Sequence, residues 1–93
     1  MLVGTLLVRL RIRESRTLKD KRQVLSSIKD KLTNAFNISV AEVDAQDDRQ
    51  LVVLGIAMVS NEAHHLKSAL GKVVEALRVH PIAEFLDSEM ETY

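Results

Sequence analysis

The sequence contains no cysteine, one proline, three glycines and three aromatic residues. Without cysteine the chain has no disulfide, no thiolate nucleophile and no cysteine-ligated metal, which is typical of a cytoplasmic protein. Gly4, Gly55 and Gly71 stand too far apart to form a glycine-rich phosphate loop. With 46% hydrophobic and 28% charged residues, the composition argues against disorder and predicts one domain over residues 1–93.

Long hydrophobic runs are also missing. No apolar stretch approaches the ~20 residues that cross a bilayer, so we expect no membrane contact. The apolar start at residues 1–8 is ended by Arg9 and has neither a basic lead-in nor a small-residue cleavage site. It therefore does not have the pattern of a signal peptide.

Charge is balanced in total but not along the chain. Residues 1–31 hold nine basic and three acidic residues, whereas residues 32–93 hold four basic and ten acidic ones. A neutral total does not point to nucleic acid, but a basic first third keeps an anionic partner possible.

Hydrophobic periodicity predicts six elements. They are a strand over residues 2–12, a helix over 18–36, strands over 37–44 and 50–60, a second helix ending before Pro81, and a strand over 83–92. Thr17 with Asp20 resembles a capping box for the first helix, and Ser60 or Asn61 is expected to cap the second.

The order βαββαβ predicts an α+β fold of the ferredoxin-like type. In that arrangement a four-stranded antiparallel sheet carries two helices on one face. The first and third strands are central, and the last strand runs antiparallel beside the first. The third strand is apolar on both faces, which is typical of a strand that is buried twice or docks a partner.

A basic segment leaves the first strand, turns and enters the first helix. Because helix N-termini and cationic side chains attract anions, these residues are candidates for binding RNA phosphates, helped by the hydroxyls of Ser15 and Thr17. The candidates are Arg9, Arg11, Arg13, Arg16, Lys19, Lys21 and Arg22. The alternative is that carboxylates of the last strand neutralise Arg9 and Arg11 by cross-strand pairing. Those carboxylates are Asp87, Glu89 and Glu91.

The sheet face away from the helices is predicted to lack aromatic residues on its central strands, so base stacking is not expected there. Its apolar row, including Val3 and Leu7, favours a dimer contact instead. The edge of the second strand, residues 38–41, carries no charge and offers another route to a homo-oligomer.

Neither a metal site nor a catalytic residue is predicted. His64 and His65 are adjacent and do not share a helix face, and His80 is interpreted as favourable to the dipole of the second helix. The acidic turn at residues 44–48 lacks the glycine and closing glutamate of an EF-hand and predicts a polar hairpin. No cofactor motif is present, and an enzyme acting on phosphorylated compounds is the least favoured interpretation.

Three segments resemble the YlxP-like family of small bacterial proteins of unknown function. They are residues 17–22, residues 36–44 and Val59-Ser60-Asn61. The resemblance covers nearly the whole chain and implies a ferredoxin-like α/β sandwich, with no established activity, cofactor or catalytic residue. Members are often encoded beside translation and transcription factors, which implies work with RNA or the ribosome.

Two functional hypotheses follow for the chain. The first is a small cytoplasmic binding module that contacts RNA or a ribosomal partner through the basic segment. The second is a homodimeric protein-interaction module with no role in nucleic-acid binding.

Overall fold

The computed structural model covers residues 1–93 and contains one four-stranded antiparallel sheet with two helices. The elements are β1 (Leu2–Arg11), α1 (Leu18–Ala35), β2 (Ser39–Asp44), β3 (Leu51–Ser60), α2 (Ala63–Arg78) and β4 (Glu84–Thr92). The strand order is β2-β3-β1-β4, with every neighbouring pair antiparallel. The predicted ferredoxin-like βαββαβ fold is confirmed, and β1 and β3 are its central strands.

The core lies between the sheet and the helices. Side chains alternate across a strand, so every second residue of β1 and β3 points toward the helices and is buried. The strand residues are Leu6, Val8, Leu10, Val52, Leu54, Ile56 and Met58. The helices contribute residues at helical spacing to the same cluster. They are Leu25, Ile28 and Leu32 of α1 and Leu66, Leu70, Val73 and Leu77 of α2.

Two glycines allow close packing on opposite faces of the sheet. A Cβ atom at Gly4 would lie 2.6 Å from Leu70 Cδ1, so α2 approaches β1 closely at this point. A Cβ atom at Gly55 would lie 2.8 Å from Val43 Cγ1 on the other face. The absence of a side chain at Gly55 therefore lets β2 and β3 pack tightly.

A register shift in β4 changes which of its residues are buried. Arg9 pairs with Asp87, but Leu10 pairs with Phe85, so Leu86 is an extra residue between them. Strict alternation along β4 would place Leu86 on the inner face and Phe85 outside, and the bulge reverses this order. The bulge turns Phe85 toward the core and leaves Leu86 39% exposed.

The helix starts confirm one predicted cap and correct the other. Thr17 Oγ1 accepts a hydrogen bond from the Asp20 backbone N–H at 3.0 Å, which completes the expected capping box. For α2 the N-cap is Glu62, not Ser60 or Asn61. Its carboxylate accepts hydrogen bonds from the backbone N–H groups of His64 and His65 at 2.8 and 2.7 Å. Neither helix has the length and apolar character needed to cross a bilayer.

Candidate functional site

The basic segment of residues 9–22 divides into paired, buried and free cations. Arg9 is paired: its Nη1 donates to Asp87 Oδ1 at 2.8 Å, directly across the β1–β4 ladder. The hydrogen bond and charge of Asp87 raise the pKa of Arg9. The predicted cross-strand neutralisation is confirmed for Arg9.

Arg13 is also paired, which the sequence did not indicate. Its Nε and Nη2 donate to the two carboxylate oxygens of Glu84 at 2.7 and 3.2 Å. This two-point contact lowers the pKa of Glu84. Arg11 lies opposite Glu84 in the ladder rather than Glu89, and its Nε is buried without a hydrogen-bond partner.

Lys21 is not a surface cation. It is 0% exposed, and its Nζ donates to the carbonyl oxygens of Ala45 and Leu51 at 2.8 and 3.0 Å. Glu42 Oε2 lies 2.9 Å from the same nitrogen without hydrogen-bond geometry, so that contact is purely electrostatic. Lys21 therefore ties α1 to the β2–β3 hairpin and was wrongly placed among the anion-binding candidates.

Part of the hydrogen-bonding capacity at the start of α1 is used within the protein. The Asp20 carboxylate accepts hydrogen bonds from the backbone N–H groups of Arg16 and Thr17 at 3.1 and 3.2 Å. These bonds lower the pKa of Asp20. Ser15 is buried, and its hydroxyl donates to the Thr17 carbonyl at 3.1 Å. The backbone N–H groups of Arg16, Thr17 and Asp20 and the hydroxyl of Ser15 are therefore already bonded within the protein.

Three of the seven candidate cations remain exposed and make no ion pair: Arg16, Lys19 and Arg22. Arg16 precedes α1, and the other two lie in its first turns. The sequence-predicted patch is thus reduced to a short basic strip beside the helix start.

The sheet face opposite the helices, called here the open face, contains an apolar groove. The groove has a volume of about 520 Å³. Small or apolar side chains form its floor: Thr5, Leu7, Ser39, Ala41, Val43, Gly55 and Ala57. Glu89, Glu91 and Tyr93 form its rim. The predicted absence of aromatic residues from the central strands is confirmed, and Tyr93 stands at the edge.

The rim of the groove is acidic. Glu89 lies opposite Leu7 and Glu91 opposite Thr5, and neither carboxylate takes part in an ion pair. The Tyr93 hydroxyl donates a hydrogen bond to Glu91, which raises the pKa of Tyr93. This end of the groove therefore presents two carboxyl groups and one phenol hydroxyl.

His80 has a local structural role. His80 Nδ1 accepts hydrogen bonds from the backbone N–H groups of Ile82 and Ala83, both at 3.2 Å. Burial, with the charge of Lys31, lowers the pKa of His80. The favourable effect on the α2 dipole was expected of the protonated ring and stays a prediction. No cluster of His, Cys, Asp or Glu has the geometry to hold a metal ion.

The polar hairpin between β2 and β3 is confirmed. Asp48 Oδ1 accepts hydrogen bonds from the backbone N–H groups of Gln50 and Leu51, both at 2.8 Å, and these bonds lower the pKa of Asp48. The side chain of Gln50 donates to the Arg13 carbonyl at 2.9 Å, which joins the hairpin to the β1–α1 connection. The aspartates of this turn therefore organise the backbone.

Comparison with known proteins places the chain in a family. Residues 3–90 match the model of a protein family of unknown function, DUF503. The chain belongs to this family. It is similar to the uncharacterized protein YlxP of Bacillus subtilis (strain 168), with 34% identity over 73 residues, which cover 78% of this chain and 79% of that protein. The resemblance seen in the sequence is confirmed, and the family supplies no assigned activity.

Proposed function

We propose that the protein is a small protein-interaction module whose open face binds a partner segment with alternating apolar and basic side chains. The observation that supports this proposal is the apolar groove of about 520 Å³ with a carboxylate rim. Concave apolar surfaces with a few convergent polar groups are the usual form of a binding site.

The floor of the groove suits an extended polypeptide. Ala41 and Ala57 carry small side chains, so a backbone can approach the sheet closely beside them, whereas Val43 fills the space above Gly55. Leu7 and Val43 provide apolar contact on either side of this low region. The floor of the groove has no aromatic side chain on which nucleic-acid bases could stack, because its one aromatic residue, Tyr93, stands at the rim.

The charge of the rim selects the partner. Arg9 neutralises Asp87, but Glu89 and Glu91 keep their charges beside the apolar floor. Complementary charge at a rim favours lysine or arginine side chains and disfavours phosphates. A partner segment that sets apolar residues on the floor and basic residues on the rim satisfies both features.

The test is a nuclear magnetic resonance titration of the isotope-labelled protein with a short peptide of alternating lysine and valine. We expect amide shifts concentrated in β1, β3 and β2, and affinity about tenfold weaker in the variant with both Glu89→Gln and Glu91→Gln. Glu75→Gln, an exposed carboxylate on α2, is the matched control and should bind normally.

A peptide of alternating glutamate and valine completes this design. If it binds as well as the basic peptide, or if the basic peptide shifts no open-face amide at millimolar concentration, the proposed partner chemistry is wrong. Unchanged affinity after loss of both rim carboxylates would also contradict the proposal.

The second candidate function is contact with RNA phosphates through Arg16, Lys19 and Arg22. Its support is that these three cations are exposed and unpaired on one short segment. Three phosphate contacts give an expected slope of about −2 in log affinity against log salt concentration for a single strand. The variant with Arg16→Gln and Lys19→Gln should reduce the slope to about −0.7.

Lys67→Gln and Lys72→Gln on α2 serve as the charge-matched control for this experiment, because both lysines are exposed. Absence of binding to a short single-stranded RNA at low salt would remove the second candidate. A slope that falls equally in the control would show that binding depends on total charge rather than on this segment. Neither proposed function assigns a catalytic residue.

A further inference from the structure

The two edges of the sheet differ in how readily they can pair with a strand of another chain. On the open face, the β4 edge carries Asp87, Glu89 and Glu91, so a second β4 strand would bring carboxylates together. The β2 edge carries Ser39 and Ala41 on that face, and neither is charged. Its register shift occurs only beyond Glu42, so the preceding residues remain regular. An unprotected edge of this kind readily pairs with another chain.

The helix beside this edge carries a polar stripe of both signs. Arg22, Ser26, Lys29 and Asp30 recur at helical spacing and line, together with Glu42 of β2, a cleft of about 320 Å³. The stripe therefore runs along the same side of the molecule as the free edge of β2. Arg22 and Asp30 are eight residues apart, about 12 Å along the helix, and cannot pair within one chain.

We propose that a second copy of this chain pairs with the β2 edge in antiparallel orientation, about a two-fold axis that passes near Ala41 and Ser26. The axis sets Arg22 of each α1 opposite Asp30 of the other copy, and Ser26 opposite Ser26. Lys29 then lies opposite Gln23, so no like charges meet across the helices. Isologous contacts of this kind occur in the commonest protein dimers.

The spacing of the layers is compatible with this arrangement. Paired strands lie about 4.8 Å apart and packed helices about 8–10 Å apart. Two helices already cover the four strands of one copy. Edge-to-edge pairing therefore continues both the strand spacing and the helix spacing. The strands form one continuous sheet, and the two α1 helices lie at an ordinary packing distance.

The interface is small, and both open faces remain exposed. A six-residue strand with one flanking helix presents roughly 400–500 Å² per copy, which is at the low end for specific association. We therefore expect a reversible dimer with a dissociation constant of tens of micromolar. The contact runs along the backbone edge of β2 and leaves Leu7 and the rim carboxylates Glu89 and Glu91 free, so dimerisation and the proposed partner binding can be lost separately.

Sedimentation equilibrium of the full chain between about 10 µM and 1 mM tests the proposal. The wild type should shift from the monomer mass of 10.4 kDa toward twice that mass. Arg22→Asp and Asp30→Arg should each weaken association about tenfold, and the double variant should recover most of the loss, since the swapped charges face each other again. Ala41→Lys should abolish dimerisation by placing two cations beside the axis.

Thr92→Lys, on the other edge strand, and Leu7→Asp, on the open face, are the controls and should leave association unchanged. Circular dichroism checks that each variant is folded. A wild type that stays monomeric at 1 mM overturns the proposal. So does a double charge swap that fails to restore association, or a loss of dimer in Leu7→Asp, which would assign the contact to the open face.

Discussion

The two edge strands are held to the rest of the protein in different ways. In addition to its ladder with β1, β4 is held by surface ion pairs of Asp87 with Arg9 in β1 and of Glu84 with Arg13 in the following connection, and by the half-buried ring of Phe85. The β2–β3 hairpin is instead held from beneath by Lys21, which is fully buried. Surface cations of the basic segment therefore hold one edge of the sheet, whereas a buried cation of the same segment holds the other.

The difference lies in the surrounding solvent. Exposed ion pairs contribute little because water screens the charges and the long side chains lose entropy. A buried charge that loses its partner cannot recover that interaction from water. The β4 side should therefore tolerate loss of its charges, whereas the β2 side should not.

The largest effect is expected from Lys21→Met. The substitution keeps the length of the side chain but leaves Glu42 without its counter-charge and two carbonyl groups without a donor. We expect a loss of about 3–5 kcal/mol in the free energy of unfolding, measured by urea denaturation. Lys19→Met, two residues earlier on the exposed side, should change it by less than about 0.5 kcal/mol.

The double variant Lys21→Met with Glu42→Leu identifies the cause. Removing both charges should recover about half of the loss, because replacing a buried pair by apolar groups is often tolerated. If the double variant is as unstable as the single one, the two carbonyl hydrogen bonds hold the hairpin, and the charge of Glu42 contributes little.

A smaller loss is expected from Phe85→Ala in β4. The ring packs on the core and lies 4.4 Å beneath the Arg78 guanidinium, but it is only half-buried, so we expect about 2 kcal/mol. Leu86→Ala is the neighbouring control and should cost less, since the bulge leaves Leu86 39% exposed and outside the core cluster. Equal losses in the two variants would mean that the bulge is placed wrongly.

The connection before β4 should make stability depend on pH. Burial lowers the pKa of His80 below its ordinary value of 6.5, so the unfolded chain binds a proton more readily than the folded one. The contribution of His80 to the free energy of unfolding is complete above pH 6.5, and it is lost as the pH falls from there through the lowered pKa. Urea midpoints at pH 7.5 and 5.5 should differ less in His80→Asn than in the wild type. The same difference in both would exclude His80 as the source.

The smallest effect is expected from Arg9→Gln and Arg13→Gln. Both guanidinium groups are solvent-exposed, so their removal should leave the melting temperature nearly unchanged at physiological salt. Scanning calorimetry at low and high salt provides the check. A clear, salt-independent loss in either variant would contradict the contrast between the two edges.

The fold followed from the sequence because its main signals are periodic and local. Alternation in β1, the continuous apolar run of β3, and the three- and four-residue spacing in both helices determined the elements and their order. The position of the bulge in β4 did not follow, because Phe85 and Leu86 are both apolar and only pairing with Leu10 decides between them.

The candidate site was harder to predict because charge alone does not reveal burial. Lys21 occupies the same helical stripe as Leu25, Ile28 and Leu32, a signal that its charge obscured. Glu42 and Val40 lie two residues apart on the helix side of β2. This shared face identifies Glu42 as the partner of Lys21 once the patterns of β2 and α1 are considered together. The pairing of Arg13 with Glu84 depends on residues far apart in sequence and has no local signal.

The burial of the Lys21 amine also makes it a chemical reporter. Acylating reagents react with free, accessible amines, and this one has no exposed surface. Its modification therefore requires the β2–β3 hairpin to separate from α1, whereas Lys19 reacts at all times. The ratio of the two labelling rates, read by mass spectrometry of one peptide, measures how often that hairpin opens under native conditions.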